Sequence, residues 1–235
     1  MKPAPAQEKT KIERMFDAVA PRYDFLNALL SGGLDAGWRK FLTRKAAEQA
    51  PKPRRLLDLA TGSGDVLRAL RRSGAVAGGE GSLSVGADLC GPMLHEARRK
   101  GIVPLVRADG LRLPFADGSF DAVTIAFGLR NLEDRAAGLR EIARVLAPGG
   151  TLYVLEFSHP WRGLAPLYFA YLRHVLPRVA ACAGAPRDAY DYLGDSIRAF
   201  PSQPALAALL RECGFARVDW WNLTAGVAAL HRARK

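Results

Sequence analysis

The stretch FARVDWWNLTAGVAALHRA, residues 215–233, decides how this chain of 235 residues folds. FARVDWWNL (215–223) and VAALHRA (227–233) read as two strands, and only TAG (224–226) separates them. Three residues are too few for a parallel crossover, so the pair must be antiparallel. Upstream the rhythm is different. RRLLDLA (54–60), SVGADL (84–89), LVRADG (105–110), FDAVTIAFG (120–128) and TLYVLEF (151–157) are short apolar strands. Helical stretches alternate with them: VLRALRRSG (66–74), PMLHEARRK (92–100) and LEDRAAGLREIARVL (132–146), the last ended by APGG. Such alternation predicts a parallel sheet wound with helices on both faces. Here an antiparallel hairpin closes it.

The length suits one large α/β domain. Residues 1–11 are polar and proline-bearing, and read as a flexible N-terminus. Residues 12–50 read as a helical cap, with Phe16, Val19, Tyr23, Leu26 and Leu30 at helical spacing around Pro21. The main domain is expected over 51–235, interrupted by an insertion at 159–200. Within it Leu164, Leu167, Tyr168, Tyr171, Leu172, Val175 and Leu176 form an amphipathic stripe. The N-terminus has no apolar signal region, and Arg173, His174, Pro177 and Arg178 break the longest apolar run, which points to a cytoplasmic protein. Cys90, Cys182 and Cys213 are far apart, and the four histidines are scattered, so neither a disulfide framework nor a metal site is expected. Lysine and arginine outnumber aspartate and glutamate by 34 to 23, a formal charge of +11. That excess alone leaves nucleic acid, an anionic membrane surface and simple solubility open.

Three motifs lie at successive strand ends, on the carboxyl edge where sheets of this kind bind ligands. LLDLATGSGD (56–65) is a strand running into a glycine turn and a helix, with Asp58, Gly62, Ser63 and Gly64 as candidates to cup a ligand. Asp88 ends the second strand, where a carboxylate accepts hydrogen bonds from both hydroxyls of a ribose. Asp109 and Gly110 end the third, in ADGLRLPFADGSFD (108–121), where an adenine would lie. The glycine turn and Asp88 serve NAD as well as S-adenosylmethionine. The closing hairpin separates the two, because it is unusual in dinucleotide-binding dehydrogenases and normal in Rossmann-like methyltransferases.

Five blocks make the resemblance specific: MFDAVAPRYDFLNALLSGGLDAGWRK (15–40), TIAFGLRNLED (124–134), LEFSHP (155–160), YDYLGDSIRAFPSQ (190–203) and NLTAGVAALHR (222–232). In these the chain resembles the UbiE family of quinol C-methyltransferases, from Lys11 to Arg232. The resemblance implies a class I S-adenosylmethionine-dependent methyltransferase fold: seven strands, mostly parallel, with the last antiparallel. N-terminal helices and a helical insertion before the final helix and hairpin complete it. It implies cofactor contacts at Ser63, Asp88, Asp109 and Gly110, and a prenylated quinol as substrate. The reaction expected is C-methylation of demethylmenaquinol to menaquinol, the alternative being the corresponding benzoquinol of the ubiquinone pathway. In the acidic-x-G-x-G-x-G turn Ala60 replaces the first glycine, and Thr61 stands where relatives often have glycine.

Such a reaction needs no covalent nucleophile. Arg130 is the candidate to stabilise a developing phenolate, because a guanidinium stays charged and donates in a fixed fork. Asn131 is the candidate to orient a hydroxyl or a water, and His159, Tyr190 or Asp191 to accept a proton. Phe16, Tyr23, Tyr168 and Tyr171 are candidate walls of a quinone and prenyl channel. A substrate dissolved in a bilayer turns the positive charge and the 163–176 stripe into features of a peripheral membrane contact. Nucleic acid is not expected as a partner, since no NPPY-like motif and no cysteine in a Pro-Cys context is present. Homo-oligomerisation is left open.

Overall fold

The computed structural model describes residues 31, 33–175, 178 and 187–235, and of 187–191 the backbone alone. The flexible N-terminus, most of the cap, and Phe16 and Tyr23 with it, lie outside the described residues, as do the side chains of Tyr190 and Asp191. The chain runs α1 (Leu34–Ala47), β1 (Arg55–Leu59), α2 (Asp65–Arg72), β2 (Leu83–Asp88), α3 (Gly91–Arg99), β3 (Leu105–Arg107) and β4 (Phe120–Ala126). It continues through a 3-10 turn (Leu129–Asn131), α4 (Arg135–Val145), β5 (Leu146–Phe157) and α5 (Ala165–Ala170), which passes into a π turn (Tyr171–Val175). The chain ends with α6 (Arg187–Arg198), α7 (Gln203–Glu212), β6 (Arg217–Leu223) and β7 (Ala228–Arg234).

The seven strands form one sheet in the order β3-β2-β1-β4-β5-β7-β6. β1 to β5 are parallel, and β7 pairs antiparallel with both β5 and β6. The order reverses at β1, so its carboxyl end and that of β4 flank the crevice in which such sheets take ligands. Alternation along each strand divides the core between two faces. Leu57, Leu59, Val123, Ile125, Leu152 and Val154 meet α4 and α7 through Leu139, Ile142, Leu206 and Leu210. Leu56, Ala122, Tyr153 and Leu155 meet α1, α2 and α3 through Trp38, Leu42, Leu67 and Ala97.

One element differs from its expected form. APGG reads as the stop between helix and strand, yet β5 begins at Leu146. Phe120 pairs with Leu146 and Ala122 already with Thr151, so residues 147–150 bulge out of the ladder. Gly149 takes φ 75°, and a Cβ on Gly150 would lie 2.8 Å from the Ala147 carbonyl oxygen, which is why the bulge requires glycines there.

The hairpin tip that decides the topology also reaches the crevice. β6 runs parallel to β1–β5, so Thr224–Gly226 emerge at the carboxyl edge. Thr224 and Ala225 both take positive φ, at 47° and 53°. The tip is held by Trp38 Nε1 donating to Thr224 Oγ1 at 2.8 Å, and by Trp161 N donating to Ala225 O at 2.9 Å. It therefore ties α1 to the segment leaving β5.

A second strained contact links the first turn to the fourth strand. Ala60, where the family pattern has glycine, sits at φ 53°, and a Cβ on Gly128 would fall 2.4 Å from the Ala60 Cβ. The methyl of Ala60 thus occupies the space that a side chain at 128 would need. Gly128→Ala should cost about 2 kcal/mol or more of unfolding free energy, as overpacking of a closed interior does. Ala60→Gly should remove most of that loss in the double variant, and alone should stabilise by roughly 1 kcal/mol by lifting the left-handed penalty. A double-mutant cycle in urea checks it, and additive effects would refute the contact.

Candidate active site

β1 carries Asp58 into the middle of the sheet, where it is 1% exposed. A carboxylate so placed needs partners. Thr61 Oγ1 donates to Asp58 Oδ2 at 2.6 Å and Thr124 Oγ1, from β4, donates to Oδ1 at 2.5 Å. Burial pushes the Asp58 carboxyl up to about 6, against the pull of the two hydroxyls. Asp58 thus pins the turn from below, and the hydroxyl expected to be lacking in a glycine-rich turn is what it holds. Thr61 is accommodated because Gly86 faces it, a Cβ there falling 3.0 Å from the threonine methyl.

The turn is closed from the side by Asp88. Gly62 N donates to Asp88 Oδ2 at 2.8 Å and Cys90 N donates to Oδ1 at 2.9 Å. Burial raises the Asp88 carboxyl above the usual range while these amides oppose it. Gly62, at φ 56°, is therefore required by the backbone and engaged by the second strand's acid. Gly64 has a packing reason of its own, since a Cβ would lie 2.7 Å from Ile102 Cγ1. Ser63 is buried, and Lys100 Nζ donates to its hydroxyl at 2.9 Å and to Asp65 at 3.1 Å. At the end of β3, Asp109 is half-buried and accepts from Leu111 N at 3.0 Å. Gly110 is buried, where a Cβ would come within 2.9 Å of Leu132.

β4 and β5 deliver the remaining groups. Phe127 turns the chain with φ 55°, and the 3-10 turn places Arg130 inward, 9% exposed. Its guanidinium is engaged within the protein. Arg130 Nη1 donates to Glu156 Oε1 at 2.8 Å and to the Phe127 carbonyl at 2.5 Å, and the plane lies 5.3 Å from the centre of the Phe157 ring. Glu156 is 1% exposed and accepts also from Phe157 N at 2.9 Å. One donor of the fork, Arg130 Nε, is buried with no partner among the described residues. Asn131 points its Oδ1 at the Tyr192 hydroxyl, 3.2 Å away, so the insertion's α6 covers this end of the site. Trp38, Phe127 and Phe157 stack edge and face with centroids 4.9–6.1 Å apart and wall the α1 side.

His159 follows β5. Its Nε2 donates to Phe200 O at 2.9 Å, leaving Nδ1 as its basic nitrogen, and its carbonyl accepts from Gln203 Nε2 at 3.0 Å. Gln203 O in turn accepts from His231 Nε2 at 3.0 Å. His231 is buried on β7 with Nδ1 unpartnered among the described residues, and burial lowers its imidazole to about 4.

The carboxyl edge thus assembles Asp58, Gly62, Asp88, Arg130 and Asn131. Glu156, Thr124 and Trp38 were not singled out by sequence, and Thr61 only as a departure from the family's glycine turn. For Glu156 the available signal was an acid inside the apolar run TLYVLEF, one strand away from a lone inward arginine.

Comparison with known proteins agrees with this geometry. A family model described as the ubiE/COQ5 methyltransferase family matches residues 5–235. A demethylmenaquinone methyltransferase of Corynebacterium kroppenstedtii is 48% identical over 227 residues, covering 96% of this chain and 94% of that protein. One of Thermus thermophilus is also 48% identical, covering 92% and 98%. Among solved structures, a possible histamine N-methyltransferase from Thermotoga maritima superposes with a TM-score of 0.67 at 17% identity, covering 94% of this chain and 99% of that one. The [4+2]-cyclase SpnF superposes with 0.65 at 19% identity, covering 95% of each chain. The last two show the fold alone, and their different chemistries illustrate how little the fold says about the reaction.

The two shifted groups oppose one another in acid. Asp58, with its folded pKa raised from 3.8 to about 6, stabilises fully below pH 3.8 and loses that contribution as pH rises through 6. His231, lowered from 6.5 to about 4, stabilises fully above pH 6.5 and loses it as pH falls through 4. Each is worth roughly 3 kcal/mol. Relative to wild type, Asp58→Asn should gain about that much unfolding free energy between pH 4 and pH 7, and His231→Leu should lose it. Denaturant titrations across this range check the signs, and curves parallel to wild type would contradict both.

Proposed function

The chain belongs to the ubiE/COQ5 methyltransferase family, and we propose that it C-methylates the ring of demethylmenaquinol with S-adenosylmethionine as donor. The observation that carries this is full-length similarity at 48% identity to proteins described as demethylmenaquinone methyltransferases. The ubiquinone-pathway reaction and an NAD-dependent oxidoreductase are not favoured.

The crevice suits the donor. Backbone amides occupy one acceptor site on each oxygen of Asp88, and the capacity that remains matches a ribose diol. Asp88 would hold the ribose, the turn through Gly62, Ser63 and Gly64 the amino-acid end, and Asp109 with Gly110 the base, while Asp58 acts from beneath. When bound, S-adenosylmethionine supplies a methyl group made electrophilic by its sulfonium. The protein's own part is to align the quinol ring, exclude water and place charge near the ring oxygen. Arg130 Nε–H is buried without a partner among the described residues, and it is the group we assign to that oxygen. Glu156 fixes the guanidinium plane, and Asn131 orients a hydroxyl. His159 Nδ1 is an acceptor for the proton.

Arg130→Ala should lower kcat by about 10²–10³, the usual effect of removing a preorganised donor, while SAM affinity stays within a few-fold. Glu156→Leu should cost about 3–5 kcal/mol of stability by stranding the guanidinium. Arg130→Met/Glu156→Leu should regain most of the stability without regaining turnover. Single-turnover kinetics beside thermal unfolding separate these effects, and a double variant with wild-type kcat would reduce the pair to a structural role.

The protein would work from the inner membrane face. Among the described residues no helix is long and apolar enough to cross a membrane. Trp161 and Leu167 are 75% and 70% exposed, beside Arg162, Arg173 and Arg178, a pattern suited to an anionic interface. Trp161→Ser with Leu167→Asp should lower co-sedimentation with anionic vesicles about tenfold, and unchanged sedimentation would overturn the contact.

A further inference from the structure

The segment Ala165–Val175 has two unlike sides. Leu172 is buried and packs with Ile197, Leu193 and Phe157 into a small core of its own. On the other side runs an open groove of about 530 Å³, walled by Leu164, Leu167, Tyr168, Ala170, Tyr171 and Val175, with the His174 ring on its lining. Its walls are almost wholly apolar. The π turn begins at Tyr171, and such turns widen a helix locally and recur at functional sites.

The two ends of the groove differ. At the inner end Tyr168 shares a small apolar cluster with Phe157, whose ring centre lies 5.3 Å from the Arg130 guanidinium, so the groove begins near the buried ion pair. At the outer end Leu167 and Val175 are exposed to solvent, the latter at 45%. A ligand occupying it must have a polar head at Arg130 and a flexible apolar body leading outwards. We propose that the groove receives the prenyl tail of the quinol, its first isoprene units lying between Tyr168 and Tyr171 and the rest leaving past Leu167 and Val175. This rests on the quinol reading above.

The volume falls within the range of small-molecule sites, roughly 300–1,000 Å³, and so holds only part of a long polyprenyl chain. Preference for longer tails should therefore rise over the first few isoprene units and then level off. Ala170 is exposed and lines the groove without entering the catalytic machinery, which makes Ala170→Trp a way to fill it. The test compares two demethylnaphthoquinol analogues in mixed micelles of fixed composition, one bearing a methyl group in place of the tail and one bearing four isoprene units.

Wild type should favour the four-unit analogue in kcat/KM by about tenfold or more, the effect of burying a few methylenes. Ala170→Trp should cut that value about tenfold while leaving the methyl analogue within about twofold. Equal losses on both analogues, or a tail preference unchanged by the variant, would overturn the groove assignment. A wild-type enzyme that binds S-adenosylmethionine yet methylates neither analogue would instead remove the quinol reading, and the groove's occupant with it.

Discussion

A carboxylate in the middle of a sheet cannot be left without hydrogen bonds, and the arrangement of this crevice follows from how Asp58 obtains them. Its two oxygens take the hydroxyls of Thr61 and Thr124, so one side chain fastens the β1 turn to itself and to β4. With the turn held down, Gly62 presents its amide to Asp88. Ala60 is pressed into a left-handed conformation against the backbone of Gly128. That contact sets where β4 ends, and hence where the 3-10 turn delivers Arg130 to Glu156. Three strand ends are thus placed by a chain of short polar and steric contacts that begins at one buried acid.

Much of this frame is legible in the amino-acid sequence, because it depends on local and periodic signals. The three-residue spacer at 224–226 is too short for a crossover, and it foretells the antiparallel closure seen in β7. The glycine turn, Asp88 and Asp109 fall at strand ends as expected. The Arg130–Glu156 pair is less legible, since the partners are 26 residues apart and meet only through register between β4 and β5. Periodicity shows that Glu156 shares a face with Val154. It does not show what stands opposite. The 147–150 bulge escapes a reading by composition for a related reason, as a glycine pair marks a turn whether or not the ladder resumes beyond it. Gly64 and Gly110 carry the opposite lesson: residues suggestive of a ligand cradle also have packing reasons, against Ile102 and Leu132.

The stripe at 164–175 shows where amphipathic periodicity reaches its limit. An apolar side predicts burial, and only Leu172 of the described residues in that stripe is buried. The remainder line a groove or face outwards. An exposed apolar surface beside a polar site is common where a ligand or a lipid completes the packing, and that surface here begins at Phe157, against which the insertion packs and over which Arg130 lies.

The distribution of charge gives the crevice a direction. The chain carries a formal +11, yet the groups around the turn are mostly acids: Asp58, Asp65, Asp88, Asp109 and Glu156 against Arg130 and Lys100. Glu156 pairs with Arg130 and Asp65 with Lys100, which leaves Asp58, Asp88 and Asp109 to set the field at the glycine turn. Such a field suits a ligand bearing a sulfonium and disfavours the pyrophosphate of a dinucleotide, even though both would use the same ribose carboxylate. It also distinguishes the two ends of the reaction. Methyl transfer removes the positive charge from sulfur, so the donor is held by an attraction that its demethylated product lacks. The acidic turn therefore favours donor over spent cofactor, and the surplus of basic residues is left for the outer surface.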